Sequence, residues 1–246
     1  MGLRSMIKQN PWIKRSPPYR LTRWFYHRGH NAVRNSNWQT RRTIRDYLDR
    51  HPVRKLHIGC GDNVLDGWLN TEYEGSAPLS VAYFDVQNPF PLPSDTFDFV
   101  FSEHMIEHVP LREAFTMLQE CRRVLKPAGR IRISTPPLEY LIKLVVNPAP
   151  EDEEYLLWHR REWSSESPVF TAAVALSDYY KQWGHQFVYD EPTLRALMAK
   201  AGFVSIEKLA LCESSEPELR NLEHHQRLPK GMLNRLTFTL EAGKPF

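Results

Sequence analysis

The run Ser102-Glu103-His104-Met105-Ile106-Glu107-His108 gathers two imidazoles and two carboxylates within seven residues. If it is helical, His104, Glu107 and His108 lie three and four residues apart and share one face. An imidazole is a competent general base near neutral pH. Two imidazoles and a carboxylate also make a ligand set for a divalent ion, with nitrogen favouring manganese, iron or zinc over magnesium. His-x-x-Glu-His is in addition the signature of one zinc peptidase class, but no second ligand-bearing helix accompanies it here. A further imidazole, His185, stands in Gly184-His185-Gln186-Phe187.

A second chemical locus is Leu56-His57-Ile58-Gly59-Cys60-Gly61-Asp62. Glycines at a strand end let the backbone turn tightly and approach a ligand with no Cβ in the way. Two later acids extend the pattern. Glu72 ends a second short strand, where a carboxylate can accept both hydroxyls of a ribose. Asp85 ends a third, where a carboxylate can receive an adenine amino group. Three strand ends along one sheet edge would then supply one nucleoside site. A dinucleotide site fits less well. It wants a third glycine and an acid about 20 residues on, whereas Val64 stands at the glycine position and Glu72 follows Gly59 by 13 residues.

The elements that must position these groups alternate. Strands are expected at Lys55–Ile58, Trp68–Thr71, Val81–Phe84, Phe97–Phe101 and Arg130–Ser134, then at Phe203–Leu209 and Leu236–Glu241. Helices are expected over Asn37–Leu48, Pro110–Leu125 and Glu191–Ala201, the last begun by Pro192 and closed by Gly202. This alternation gives an α/β fold with a mostly parallel sheet and helices on both faces. Asp62–Gly67 leaves room for only a turn where a first crossover helix would run. Residues 138–184, rich in aromatics and charge and lacking strand signal, are expected to form a helical lid insertion that selects the substrate. Tyr140, Tyr155, Trp158, Trp163, Tyr179, Tyr180 and Trp183 are available there to stack on a ring or to pack the insertion.

The 246 residues carry a formal charge of +3, but unevenly. Residues 1–55 hold 14 Lys/Arg and two acids, leaving 18 basic and 27 acidic residues beyond. Residues 1–51 therefore read as a basic N-terminal arm and helix preceding a domain over 52–246. Its basic residues mixed with aromatics suit an anionic partner, whether lipid headgroup, pyrophosphate-linked substrate or RNA; a solvated flank that packs its aromatics on the domain is the alternative. No apolar run approaches the roughly 18 residues of a spanning helix. The N-terminus has no continuous apolar segment, and Cys60, Cys121 and Cys212 are odd in number and far apart. The expectation is a cytoplasmic protein, peripheral to the membrane if the arm binds lipid.

The stretch Lys55–Thr135 resembles class I S-adenosylmethionine-dependent methyltransferases. The resemblance lies in Leu56–Gly61, Phe84-Asp85-Val86, Phe97-Asp98-Phe99-Val100, Glu107-His108 and Val124-Leu125-Lys126-Pro127-Ala128-Gly129. Gly67-Trp68-Leu69-Asn70 and Gly184–Asp190 are similar to a bacterial group linked to surface-polysaccharide and glycosylation functions. The resemblance implies a Rossmann-like methyltransferase sheet that binds S-adenosylmethionine. Gly59 and Gly61 would line the methionine and ribose, Glu72 would hold the ribose and Asp85 the adenine end, and Ser102 and Glu103 would sit under the sulfonium. His57, Cys60 and Val86 complete the expected cofactor contacts. The family's usual acid is absent at His57, leaving the methionine amino group without its usual partner. The arm and the Asn37–Leu48 helix are expected to fill the space of the shortened first helix.

Terminal-ribose methyltransferases of small RNAs are similar at Glu107 and His108, with His104 in place of their first Glu and His185 as the later histidine. There these positions hold a divalent ion, so His104, Glu107, His108 and His185 are the metal candidates. Three functions follow. The first is O-methylation of a hydroxyl on a sugar, glycoconjugate or other small molecule, with His108, His185 and Glu107 as the catalytic candidates. The second is metal-assisted RNA ribose methylation. The third is a cofactor-fold protein that binds a partner without catalysis.

Overall fold

The computed structural model describes residues 38–73, 81–223 and 231–246. The basic arm up to residue 37 lies outside them. In chain order the described elements are α1 (Trp38–Arg50), β1 (Lys55–Ile58), β2 (Leu69–Glu72), β3 (Ala82–Tyr83), β4 (Phe97–Glu103), α2 (Leu111–Val124), β5 (Leu125–Thr135), α3 (Leu138–Val146), α4 (Asp152–Trp163), α5 (Ala172–Lys181), α6 (Glu191–Lys200), β6 (Val204–Leu209), α7 (Leu233–Leu236) and β7 (Phe238–Gly243). Short 3-10 turns cover Ile106–His108 and Pro217–Leu219.

The strands form one sheet in the order β3-β2-β1-β4-β5-β7-β6. β1 through β5 pair in parallel and β7 runs antiparallel between β5 and β6. Strand order reverses direction between β1 and β4, and open α/β sheets bind ligands outside the strand ends at such a point.

The two faces of this sheet differ because strand side chains alternate. Leu56, Ile58, Leu69, Val100, Ile131, Ile133, Leu240 and Ala242 point to the main core. There they meet Ala114, Met117, Leu118 and Cys121 of α2 and Leu194 and Met198 of α6. Both helices carry an apolar stripe at helical spacing, which must be covered. α6 begins as the sequence suggests: Asp190 accepts a hydrogen bond from the Thr193 N–H (2.9 Å), with Pro192 in the first turn. Ile44 and Tyr47 of α1 join the same core. The Tyr47 hydroxyl donates to the Lys55 and Gly67 carbonyls (2.9 and 3.1 Å), which ties α1 to the start of β1.

The opposite face carries His57, Asn70, Phe101, Arg132, Ser134, Thr239 and Glu241, all buried. Its cover is the connection between β6 and β7. Leu219 and Leu222 pack on Trp68 and Phe101. Arg132 reaches across with Nε to Glu223 (2.7 Å), Nη1 to Glu241 (2.6 Å) and Nη1 to the Glu213 carbonyl (2.8 Å). Glu223 also accepts from Ser134 Oγ (3.0 Å) and the Cys212 N–H (3.0 Å). A buried guanidinium needs this many partners to offset its lost hydration. Thus residues 210–223 fill the space left by the missing first crossover helix. The arm and α1 were expected there; α1 instead packs beside β3, where Thr40 Oγ1 accepts from the Tyr83 N–H (3.2 Å).

Candidate active site

Register brings the expected cofactor residues to one edge. Ile58 pairs with both Thr71 and Ser102, Thr71 pairs with Ala82, and Glu72 pairs with Tyr83. The residues just beyond this row are Gly59-Cys60-Gly61, Glu72, Asp85 and Glu103. The Cys60 N–H donates to the Thr71 carbonyl (2.9 Å) and the Phe84 N–H to the Glu72 carbonyl (3.2 Å), so the loop ends are fixed to one another. Gly59 has φ +66, and a Cβ there would lie 2.3 Å from Met105 Cγ. Only glycine accommodates that approach.

Glu72 lies under the glycine loop. Its carboxylate accepts from the Gly61 N–H (2.8 Å) and the Tyr73 N–H (2.7 Å). Asp85 is set by the turn it caps, accepting from the Gln87 N–H (2.9 Å) and Asn88 Nδ2 (2.9 Å). Val86 follows it in that turn. Preorganised carboxylates at two adjacent strand ends are able to accept from a ribose diol and an exocyclic amine, and the glycine backbone leaves room for close approach.

His57 occupies a different place from the one its motif position suggests. Its side chain points to the polar face, 1% exposed. Nδ1 lies 3.1 Å from Asn70 Oδ1, and its ring packs at 5.0 Å from Phe101. The imidazole thus serves the packing beneath the loop. Asn63, which the sequence reading passed over, stands nearer the cleft. Its Nδ2 donates to the Leu222 carbonyl (3.1 Å) and approaches Glu103 Oε2 at 3.5 Å. The glycine loop, the end of β4 and the β6–β7 connection therefore meet at one side chain. No local motif marks Asn63; its partners are 40 and 159 residues away.

The histidine run is less regular than a helix. Only Ile106–His108 form a turn, and His104 stands before it at φ +47. His104 therefore leaves the expected face: its Nε2 hydrogen-bonds Thr237 Oγ1 (2.7 Å), while Nδ1 lies 3.3 Å from Glu107 Oε1. Glu107, His108 and His185 do converge, with one ligand atom of each within 4.8 Å of the others. The two imidazoles are 4.7 Å apart, edge to face. His185 is brought in by its neighbours, since the Gln186 and Phe187 N–H groups donate to the Glu107 carbonyl (2.7 and 3.1 Å).

Glu107 is fully buried, with Oε2 accepting from Thr135 Oγ1 (3.0 Å). Burial pushes its acidity down, but the His104 hydrogen bond and the charges of His104 and His108 outweigh that. Its carboxyl is held below the usual range. For His185, burial dominates and lowers the pKa, against the nearby Glu107 charge. Its Nδ1 lies 2.7 Å from the Tyr179 carbonyl, which can only accept, so the proton sits on Nδ1 and Nε2 keeps its lone pair. A neutral imidazole with a fixed tautomer is suited to take a proton or to ligate a metal. The donor set of two imidazoles and a buried carboxylate fits a divalent transition metal; Oε1 of Glu107 has His104 Nδ1 beside it at 3.3 Å.

The sheet order and the strand-end site define a Rossmann-like, class I methyltransferase fold. Residues 68–133 match the family described as "Methyltransferase domain". No curated protein sequence matches the chain. Among solved structures, it is similar to a SAM dependent methyltransferase from Archaeoglobus fulgidus, at 16% identity and TM-score 0.47, covering 90% of this chain and 99% of that one. It is also similar to an S-adenosylmethionine dependent methyltransferase from Mesorhizobium loti, at 16% identity and TM-score 0.45, covering 85% and 100%. Residues 68–133 are thus similar to a methyltransferase domain, and S-adenosylmethionine is the cofactor that this similarity implies. Among the described residues, no helix is long and apolar enough to cross a membrane.

Proposed function

We propose that the chain methylates a hydroxyl of a sugar, a glycoconjugate or another small polyhydroxylated molecule. The observation that carries this reading is the His108–His185 pair, braced by Glu107 just beyond the end of β4. When bound, S-adenosylmethionine would supply an electrophilic methyl carbon for the acceptor oxygen, with a neutral thioether as the leaving group. The protein's part is position and proton control. Glu72 and Asp85 would hold the ribose and adenine, and Gly59 and Gly61 would admit the methionine portion. Glu103, the Leu222 carbonyl and Asn63 would supply the partners of the methionine amino group, in place of the absent acid at position 57. His185 would take the hydroxyl proton on Nε2, and His108 would orient the acceptor. A carboxylate or thiol acceptor needs no such base, which is why the pair favours an alcohol.

The clustered ligand atoms favour one addition to this reading. Glu107, His108 and His185 would hold a divalent ion, and that ion would acidify the acceptor hydroxyl. His104, turned to Thr237, would support Glu107 instead of binding the ion. The aromatic helices α3–α5 would form the lid over the acceptor.

The test uses the whole chain. Calorimetry should show S-adenosylhomocysteine binding in the micromolar range, and labelled methyl should pass from S-adenosylmethionine to saccharide hydroxyls. His185→Gln should lower kcat by about 10²–10⁴-fold, the usual contribution of a general base, with cofactor affinity unchanged. Absence of cofactor binding at millimolar concentration would defeat the reading. Activity that survives exhaustive chelation would remove the metal but leave the base.

A further inference from the structure

A cleft of about 900 Å³ opens at the same sheet edge, on the side away from the glycine loop. Its walls come from α3, the end of β6, and the segment from α7 into β7. Its volume lies within the range of sites for small molecules. It is coupled to the histidine pair: Thr237 on its wall is hydrogen-bonded to His104, and His104 contacts Glu107.

Three cationic side chains from three elements line this cleft: Lys143 of α3, Lys208 of β6 and Arg235 of α7. Each remains well exposed, at 48, 53 and 42%. Their acidic partners stand behind the wall and are shared. Asp152 lies 3.7 Å from Lys143 and 3.5 Å from Arg235, both long contacts. It is already satisfied by the Tyr140 hydroxyl and the Ala149 N–H, each at 2.8 Å. Glu191 divides between Lys208 (3.0 Å) and Arg195 (2.7 Å). The wall cations thus keep donors for a further anion. Two wall acids, Glu139 and Glu213, with Asn234, give the same cleft acceptors and donors for hydroxyl groups.

We infer that this cleft binds the acceptor as a phosphorylated carbohydrate, its phosphate held between Lys143, Lys208 and Arg235 and its hydroxyls by the acids and amide. A neutral glycan would leave the remaining donors of three cations, which share two carboxylates between them, unused, and a bare phosphate would leave the acids without hydroxyl donors. The inference rests on the methyltransferase reading for the acceptor role; the anion seat stands on the cleft alone.

The experiment titrates inorganic pyrophosphate into the full chain by calorimetry at low salt. Wild type should bind in the sub-millimolar to millimolar range and lose affinity as salt rises. Lys143→Gln/Lys208→Gln, which keeps the Arg235–Asp152 contact, should bind about tenfold more weakly, as expected for lost charge-assisted hydrogen bonds. Its S-adenosylhomocysteine affinity should stay within about twofold of wild type, and Lys208→Gln alone should give an intermediate loss. No detectable pyrophosphate binding, or equal affinity in the double variant, overturns the anion seat. Pyrophosphate binding by a chain that binds no S-adenosylhomocysteine would instead defeat the methyltransferase reading and leave the seat.

Discussion

Arg132→Met is the most informative perturbation of the scaffold. Arg132 is fully buried and holds Glu223 and Glu241 at 2.6 Å each, both with buried carboxylates. Methionine fills much of the same volume but leaves two carboxylates facing each other in a dry layer. Breaking a buried ion pair in this way costs about 3–5 kcal/mol. In a chain of this size each 1 kcal/mol moves Tm by roughly 2–4 °C, so a fall of about 6–20 °C is expected. The effect should reach the cofactor, because the same network anchors the segment whose Leu222 carbonyl meets Asn63. S-adenosylhomocysteine affinity should therefore fall along with stability. Arg132→Met/Glu223→Gln/Glu241→Gln removes the stranded charges and should recover a large part of the stability. Urea denaturation monitored by fluorescence measures both variants. A loss below about 1 kcal/mol for Arg132→Met, or a triple variant no more stable than the single one, would refute the claim that ionic pairing closes this face.

Three further outcomes are expected. Glu103→Gln should weaken S-adenosylhomocysteine binding by about tenfold while leaving methylthioadenosine, which lacks the amino acid portion, unaffected; equal loss for both ligands would remove Glu103 from the amino-group site. Gly59→Ala should abolish or strongly weaken cofactor binding, since its Cβ meets Met105 at 2.3 Å and φ is +66, and calorimetry showing wild-type affinity would contradict that packing. The third concerns pH. His159 is buried on α4 beside Asp178 (3.0 Å), and burial lowers its pKa despite that carboxylate. The unfolded chain then binds more protons than the folded one as pH falls. His159 therefore contributes stability that is complete above its unfolded pKa and is lost as pH drops through that value toward the lower folded one. Asp178, where burial is outweighed by the hydrogen bonds of Ser164, His159 and Gln182 so that its pKa is also held low, adds a loss in the same direction at more acidic pH. Melting temperature should fall between neutral and mildly acidic pH, and His159→Gln should flatten the first part of that fall.

Much of the scaffold was legible in the sequence because its signals are local. Gly59 and Gly61, the apolar strand runs, the Pro192–Gly202 helix and the Lys126–Gly129 segment each reflect backbone or side-chain preferences that act within a few residues. Most strands begin and end within a few residues of the positions their patterns indicate, but β5 starts at Leu125, five residues before the expected Arg130, and takes in the expected turn at Pro127–Gly129; the acids at 72 and 85 stand at or just beyond the ends of adjacent strands. The histidine run was legible in composition but not in shape. His104 takes a left-handed conformation and turns to Thr237, a partner 133 residues away.

What the tertiary structure alone decided is what covers the polar face of the sheet. His57 looked like a cofactor residue by position, yet pleat alternation and a missing helix direct it into packing against Phe101 and Asn70. The glycine loop determined by itself that a strand must end and a ligand can approach. Which groups stand beside the glycine loop at Asn63 was set by residues 210–223 folding back under Arg132. That depends on buried charges finding partners far away in sequence, and no local pattern carries this information.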